Sequence, residues 1–256
     1  MKTTALLVLL LPATALAASS FDGTWKARVD SMKVTGKADE WVIANGTYTC
    51  SSCDPVLKVK ADGSDQKVTG HDYYDSIAVK VVDKNTVEET RRRAGKVVNS
   101  LTITVAADGN SVSGKFTDYN GEKPASGSFV EKRVAAGPAG SHAISGQWMQ
   151  SSFGDANDAL TIVSYRMTSD TFSMNSNGQS YQAKFDGKQY PVAGDPGKTM
   201  VTLKKIDAST VSETDSRGGK VTDEIQLVAA KDGKSIWLTD KDRVHGQTTT
   251  LTLEKQ

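Results

Sequence analysis

The chain contains one long stretch twice, and that duplication limits what it can fold into. Residues 186–233 lie on residues 62–109 without a gap, at a constant offset of 124. Identities include Asp62/Asp186, Gly70/Gly194, Lys80/Lys204, Thr86/Thr210, Val87/Val211, Glu89/Glu213, Arg93/Arg217, Gly95/Gly219, Lys96/Lys220 and Gly109/Gly233. Self-similarity over such a length marks an internal duplication. The fold must therefore be one that can be built twice, from units of about 110 residues, each large enough for a modest core.

Within each copy the apolar residues alternate with polar ones. Residues 40–44, 56–60, 76–83, 86–92, 96–107 and 111–117 read as strands, and the second copy repeats the pattern from 146–150 through to 247–254. The breaks between them carry turn chemistry: Asp62-Gly63, Ala94-Gly95, Asp108-Gly109 and Asn120-Gly121. No window of helical length shows an apolar face. About ten short strands per copy, joined by hairpins, must hide their edges, and closure into a barrel does so. The expected architecture is all-β: two tandem antiparallel up-and-down β-barrels. The expected layout is a signal peptide at 1–17, a first barrel repeat at 18–133, a linker at 134–145 (VAAGPAGSHAIS) and a second barrel repeat at 146–256.

Lys2, the apolar run 5–11, Pro12 and the small-x-small sequence Ala15-Leu16-Ala17 form the expected export signal, cleaved near Ala17. The run is too short to cross a bilayer, and no later segment is apolar enough, so no integral membrane segment is expected. The expected location is the periplasm or the exterior. Without Lys2 the chain has 30 basic and 30 acidic residues. That balance gives no footprint for nucleic acid. Arg91-Arg92-Arg93, the one basic run, reads as a solvated hairpin tip.

Both copies open on Gly-x-Trp: Gly23-Thr24-Trp25 and Gly146-Gln147-Trp148. A tryptophan there can plug the closed end of a barrel. With a ten-strand meander behind it, the motif resembles the calycin group, the lipocalins and fatty-acid-binding proteins, and Phe21-Asp22-Gly23-Thr24-Trp25-Lys26 is close to how the fatty-acid-binding family begins. Across both copies the chain also resembles exported bacterial lipocalin-like proteins of unsettled function. That likeness rests on residues 186–196 (DGKQYPVAGDP), a Val-x-x-Lys-x-Ile-Asp strand, a Gly-Lys-Val strand and a terminal Glu-Lys-Gln. The resemblance implies a calycin-like barrel with a small ligand inside. The helical lid of the fatty-acid-binding family, and its Arg-x-Tyr clamp near the end of the barrel, have no match here.

Six residues are candidates for ligand contact. Glu89 and Arg93, with their counterparts Glu213 and Arg217, share by parity the face of Val87 and Val211. If that face is inward, each barrel holds a Glu–Arg pair for a polar head group; at a hairpin mouth the same pairs are solvated. Asn99 and Asp223 are polar on the face of Leu101 and Ile225, and either line a wet cavity or cap a strand end. Cys50 and Cys53 are the only cysteines. In an oxidising compartment they read as a structural disulfide, with a redox pair or a metal site as the other readings. No metal-ligand cluster or catalytic constellation can be identified, and no cofactor is implied. Trp41 and Trp237 read as ordinary core residues. The functional expectation is a non-enzymatic binding protein for a small, largely apolar ligand. The alternatives are a structural or interaction module with packed barrels, whose protein partner the sequence does not name, and a thiol-redox or barrel-seated enzyme.

Overall fold

The computed structural model describes residues 19–256. The expected signal peptide and its cleavage site lie outside the described residues. The first half of the chain forms β1 (Gly23–Gly36), β2 (Asp39–Ala44), β3 (Thr47–Cys50), β4 (Leu57–Lys60), β5 (Gln66–Lys67), β6 (Ser76–Val81), β7 (Thr86–Arg93), β8 (Lys96–Val105), β9 (Ser111–Asp118) and β10 (Ala125–Ala136). The second half forms β11 (Gly146–Gly154), the one-turn helix α1 (Asp158–Thr161), β12 (Ile162–Met167), β13 (Thr171–Ser176), β14 (Gln179–Lys184), β15 (Gln189–Pro191), β16 (Met200–Lys205), β17 (Thr210–Arg217), β18 (Lys220–Ala229), β19 (Ser235–Asp242) and β20 (Gln247–Lys255). Among the described residues no helix is long and apolar enough to cross a membrane.

Alternation drives these strands. Leu57 and Val59 on β4, Ile77 and Val79 on β6, and Val201 and Leu203 on β16 are buried, while Lys58, Lys60, Lys80 and Lys204 point to water. Hairpins close where two successive residues accept positive φ: Asn45-Gly46 (50° and 71°) between β2 and β3, and Asn177-Gly178 (44° and 84°) between β13 and β14.

The strands form two antiparallel sheets of ten. Each is a nearly closed barrel. In barrel I the order is β4-β3-β2-β11-β10-β9-β8-β7-β6-β5; in barrel II it is β14-β13-β12-β1-β20-β19-β18-β17-β16-β15. Repeats and barrels therefore do not coincide. The first strand of each repeat is inserted into the barrel built by the other. β1 lies between β12 and β20, with Trp25 opposite Val163 and Lys255; β11 lies between β2 and β10, with Trp148 opposite Asp39 and Arg133.

The exchange has a local cause. β10 and β11 are consecutive, and consecutive strands tend to pair. The segment read as an interdomain linker is only partly a connection: β10 runs to Ala136, and Arg133 binds the carbonyls of Ala143 and Ser145. β11 is thus held against β10 along its length, from Ala136↔Gly146 to Ser128↔Gly154. The gap beside β12 is left for β1. The chain leaves β1 at Gly36, where φ is +113° and a Cβ would come within 2.4 Å of the Gly246 carbonyl oxygen, and after Lys37 and Ala38 it starts β2 in barrel I.

Each barrel has one weak seam. In barrel II, β14 meets β15 through a single bridge, Ser180–Ala193, with N–O distances of 3.0 and 2.8 Å. In barrel I the side-chain amide of Gln66 takes the place of a neighbouring peptide: it accepts from Lys60 N at 2.8 Å and donates to Lys60 O at 2.9 Å. The two cores are separate. Trp148 and Ile144 pack with first-repeat residues such as Ile77, Val87 and Ile103; Trp25 and Phe21 pack with second-repeat residues such as Val201, Val211 and Leu227.

Candidate functional site

The tryptophan of Gly-x-Trp is buried at one end of each barrel. Trp25 and Trp148 are both 0% exposed. Their indole N–H groups donate to Phe21 O at 2.9 Å and Ile144 O at 2.8 Å, and a cation lies over each ring, Lys255 at 5.4 Å and Arg133 at 3.9 Å. Trp41 joins the core of barrel I. Trp237 does not belong to a core: it stands between inward-facing Ile236 and Leu238, points outward by parity, and is 52% exposed.

The opposite end of barrel I opens into a cavity of about 490 Å³. Tyr74, Arg91, Asn99 and Phe116 line it from barrel I, and Leu160 and Asn177 from the second repeat. Register explains the convergence: Arg91 faces Asn99 on β8, and Leu101 faces Phe116 on β9. Phe116 packs with Phe129 and Phe153 in an aromatic cluster with ring centroids 6.2–6.5 Å apart. Gly114 makes room for it, since a Cβ there would meet Phe129 at 2.1 Å.

Two second-repeat elements cover the cavity. α1 starts at Asn157, whose side chain accepts from Leu160 N and Ser126 N and donates to Pro124 O at 2.9 Å. Asn177, at the tip of the β13–β14 hairpin, accepts from Lys123 N and donates to Lys123 O, both at 2.9 Å. Helix and hairpin are therefore both tied to the β9–β10 turn of barrel I. A single helical turn lies below the length at which an apolar face can be read from sequence, which is why no lid was expected.

The polar side of the cavity centres on Arg91. Its Nη2 donates to Glu89 Oε2 at 3.1 Å, its guanidinium lies 5.2 Å from the Tyr74 ring, and its buried Nε has no acceptor. Glu89, 2% exposed, sits beneath it. Tyr74 in turn stacks on His71 at 4.6 Å. Burial pushes the Tyr48 hydroxyl well up, and the neighbouring Glu89 carboxylate pushes it further. Burial and then the Arg91 charge hold His71 below the ordinary histidine value.

The structure pairs the expected residues differently. Glu89 meets Arg91, not Arg93, and Glu213 accepts from the Tyr181 hydroxyl, not from Arg217. The reason is spacing: residues four apart on a strand are separated by about 13 Å, beyond a direct ion pair. Arg93 and Arg217 instead cross between the barrels. Arg93 donates to Pro196 O at 2.9 Å and Asp72 O at 3.1 Å; Arg217 donates to Asp72 Oδ2 at 3.1 Å and Tyr73 Oη at 3.2 Å. The basic run is therefore not a solvated tip. Arg91 faces the cavity, Arg92 pairs with Asp65, and Arg93 holds the second barrel. Of the six expected contact residues only Asn99 lines the barrel I cavity; Asp223 lies in barrel II opposite Asp215.

Cys50 and Cys53 are joined by a disulfide, with Cα atoms 5.4 Å apart. Cys53 lines a second cavity of about 450 Å³ between the barrels, together with His71, Tyr73, Arg217, Thr222 and His245.

Recurrence between the copies singles out neither Arg91 nor Phe116, and Tyr74 stands out only as a feature peculiar to the first copy. The signal was in the differences. Arg91 aligns with Asp215, Tyr74 with Lys198 and Phe116 with Asp240.

Fold and site together define a chain of two strand-exchanged, nearly closed ten-stranded barrels, one with a covered cavity at its mouth. No protein-family model, curated protein or solved structure matches it.

Proposed function

We propose that the protein is an exported, non-enzymatic binding protein for a small, largely apolar ligand held at the mouth of barrel I. The observation that carries this reading is the 490 Å³ cavity, walled by Phe116, Val98 and Leu160 on one side and by Arg91, Asn99 and Tyr74 on the other. A volume of that order suits a small organic molecule. Arg91 is neutralised by Glu89, so the ligand's polar group is one that accepts a hydrogen bond, such as a carbonyl or hydroxyl oxygen. Export rests on the N-terminal sequence, and the Cys50–Cys53 disulfide fits an oxidising compartment.

The test is native mass spectrometry of protein exported in an oxidising host and purified without delipidation. The expected result is a mass excess that disappears on organic extraction and is reduced in Phe116→Ser and Arg91→Met. A bare protein that also takes up no ligand from an extract of its host overturns the reading.

A further inference from the structure

The second cavity, of about 450 Å³, lies between the barrels and is built where the two copies differ. Barrel I supplies the segment after the disulfide and the loop 71–74. Barrel II supplies the β17–β18 hairpin, the start of β18 and the β19–β20 turn. In the second copy the loop 71–74 is replaced by Asp195-Pro196-Gly197-Lys198. Packing sets the walls. A Cβ on Gly70, where φ is +83°, would meet Pro55 Cγ at 2.9 Å, and one on Gly197 would meet Tyr73 Cζ at 2.7 Å.

The charged groups around this cavity are matched in pairs. Arg217 Nε donates to Asp72 Oδ2 at 3.1 Å, Lys220 Nζ donates to Asp54 Oδ2 at 2.9 Å, and His245 Nδ1 lies 2.6 Å from Asp242 Oδ2. Arg91 is held by Glu89. A charged ligand has to displace one member of such a pair. An uncharged one does not, and the pairs still have capacity for it. Arg217 uses Nε on Asp72 and Nη1 on the Tyr73 hydroxyl, Lys220 retains N–H groups, and each aspartate has a second oxygen. A hydroxyl group donates and accepts at once, so it can bridge both members of a pair and leave the pair intact.

Thr222 gives an independent sign of a ligand. It lines the cavity, is 3% exposed, and its hydroxyl has no hydrogen-bond partner. Thr222 is the extra residue of a bulge: pairing passes from Asp215↔Asp223 to Ser216↔Val221 and skips it. Barrel I has the same bulge, between Arg91↔Asn99 and Arg92↔Val97, and its extra residue is Val98. Val98 lines the apolar wall of the barrel I cavity. Valine and threonine have the same shape, so the bulge does not require a hydroxyl. A buried hydroxyl left without a partner calls for an explanation, and a ligand that is not present is one.

We propose that the cavity between the barrels binds a small uncharged polyol, of the size of a mono- or disaccharide, through Thr222 and the two ion pairs Arg217–Asp72 and Lys220–Asp54. The volume suits such a molecule. One ligand hydroxyl partners Thr222, and others bridge the pairs. Hydrogen bonds carry the recognition, because the Tyr74 ring already stacks on His71 at 4.6 Å and has the Arg91 guanidinium 5.2 Å away. Pro55 and Val244 supply apolar contact for the C–H faces of the ligand. Tyr73, Tyr74 and Arg91 line both cavities, whereas Thr222, Arg217 and Lys220 do not line that of barrel I. The proposal holds whether or not barrel I carries an apolar ligand.

The experiment is ligand-observed NMR by saturation transfer on the full exported chain, with glucose, galactose, maltose and trehalose as probes and phosphate and glutamate as charged comparators. Saturable binding of at least one sugar at millimolar concentration or below is expected. Thr222→Val, which installs the residue of the other bulge, is expected to weaken it about fivefold, the worth of one hydrogen bond. The same substitution is expected to leave the folding stability of the free protein unchanged or raised, which a purely structural role for the hydroxyl does not allow. Arg217→Gln is expected to weaken binding by about tenfold or more; if it loosens the barrels, Thr222→Val stands alone as the test. Lys58→Gln, which removes a cation from the outer face of β4, is expected to change nothing. Silence from all four sugars overturns the proposal, as does sugar binding that survives both cavity variants, or binding of phosphate or glutamate in place of the sugars.

Discussion

Barrel I and barrel II share strand order, turn positions and a buried tryptophan at one end, and differ in what they place at the other. In barrel I Glu89 is met by Arg91, beside Asn99 and Phe116. In barrel II the aligned positions bring Asp215, Asp223 and Asp240 around Glu213. Residues that recur in both copies, such as Val87/Val211 and the two tryptophans, serve the barrel as a fold. Residues that diverge between the copies set the chemistry of the mouths. In a duplicated chain, divergence is the better guide to a site.

The most severe way to break the comparison is through the exchanged strands. Trp25→Ala and Trp148→Ala each remove a fully buried ring, a loss of about 3–5 kcal/mol. Because β1 belongs to barrel II, Trp25→Ala is expected to loosen β12–β20 and leave β2–β10 protected, and Trp148→Ala to do the reverse. Hydrogen exchange resolved by peptide distinguishes the two. Loosening confined to the repeat that carries the substitution contradicts the exchange.

That exchange is the part of the fold the sequence did not show. The strands were legible because Val and Ile alternate with Lys and Thr, and the hairpins because Asn-Gly and Asp-Gly accept positive φ. Which barrel a first strand joins was not legible: Gly23-Thr24-Trp25 and Gly146-Gln147-Trp148 carry equivalent patterns, and each satisfies either barrel. The deciding element is the short path from Ala136 to Gly146, whose composition resembles a spacer and which instead folds back as a connection between paired strands. At the site, Glu89 and Glu213 were legible from recurrence, but their partners were not. Parity puts Arg93 and Arg217 on the same strand face as the glutamates, but four residues along a strand is too far for a direct pair.

The next prediction concerns the buried ion pair. Arg91→Met leaves Glu89 in the core without its cation, at a cost of about 3–5 kcal/mol. Asp215→Asn, at the aligned position, removes a charge that has no cation beside it, and is expected to be neutral or stabilising at pH 8. Chemical denaturation of the two variants checks the opposite signs. Equal destabilisation removes the electrostatic contrast between the barrels.

A smaller effect separates the barrels by pH. In barrel II burial, then nearby carboxylates, raise Asp215 and Asp223, and lift Asp240 to about 7. Glu131, in barrel I, is raised by burial and by Asp39 to about 8. Groups with raised folded-state values hold more protons folded than unfolded. Their stabilisation is complete below the unfolded carboxyl range and is lost as pH climbs through the folded values. Thermal stability is therefore expected to fall from about pH 4, where the unfolded carboxyls ionise, to about pH 8, and to level off above it. Asp215→Asn with Asp240→Asn flattens the larger, barrel II part of that fall, and Glu131→Gln the remainder. A profile unchanged by any of these substitutions shows that the carboxyls are not the source.

The disulfide carries the smallest expected effect and the most local one. Cys50 and Cys53 close a loop so short that chain entropy assigns it about 2 kcal/mol, before any native-state strain is counted. Barrel II has no counterpart and closes without one, so closure does not require it. The disulfide shapes the β3–β4 loop instead. Cys53 and Asp54 line the second cavity, and Asp54 binds Lys220 of barrel II at 2.9 Å. In Cys50→Ser/Cys53→Ser the loss of stability is expected to be about 2 kcal/mol or less, with faster hydrogen exchange confined to β3, β4 and the loop between them. Retention of the ligand proposed for the barrel I cavity is expected to be unchanged, because neither cysteine lines that cavity. Exchange that spreads into β7–β9 instead assigns the disulfide a role in holding the mouth of barrel I, and makes the missing cysteines of barrel II part of what distinguishes the two mouths.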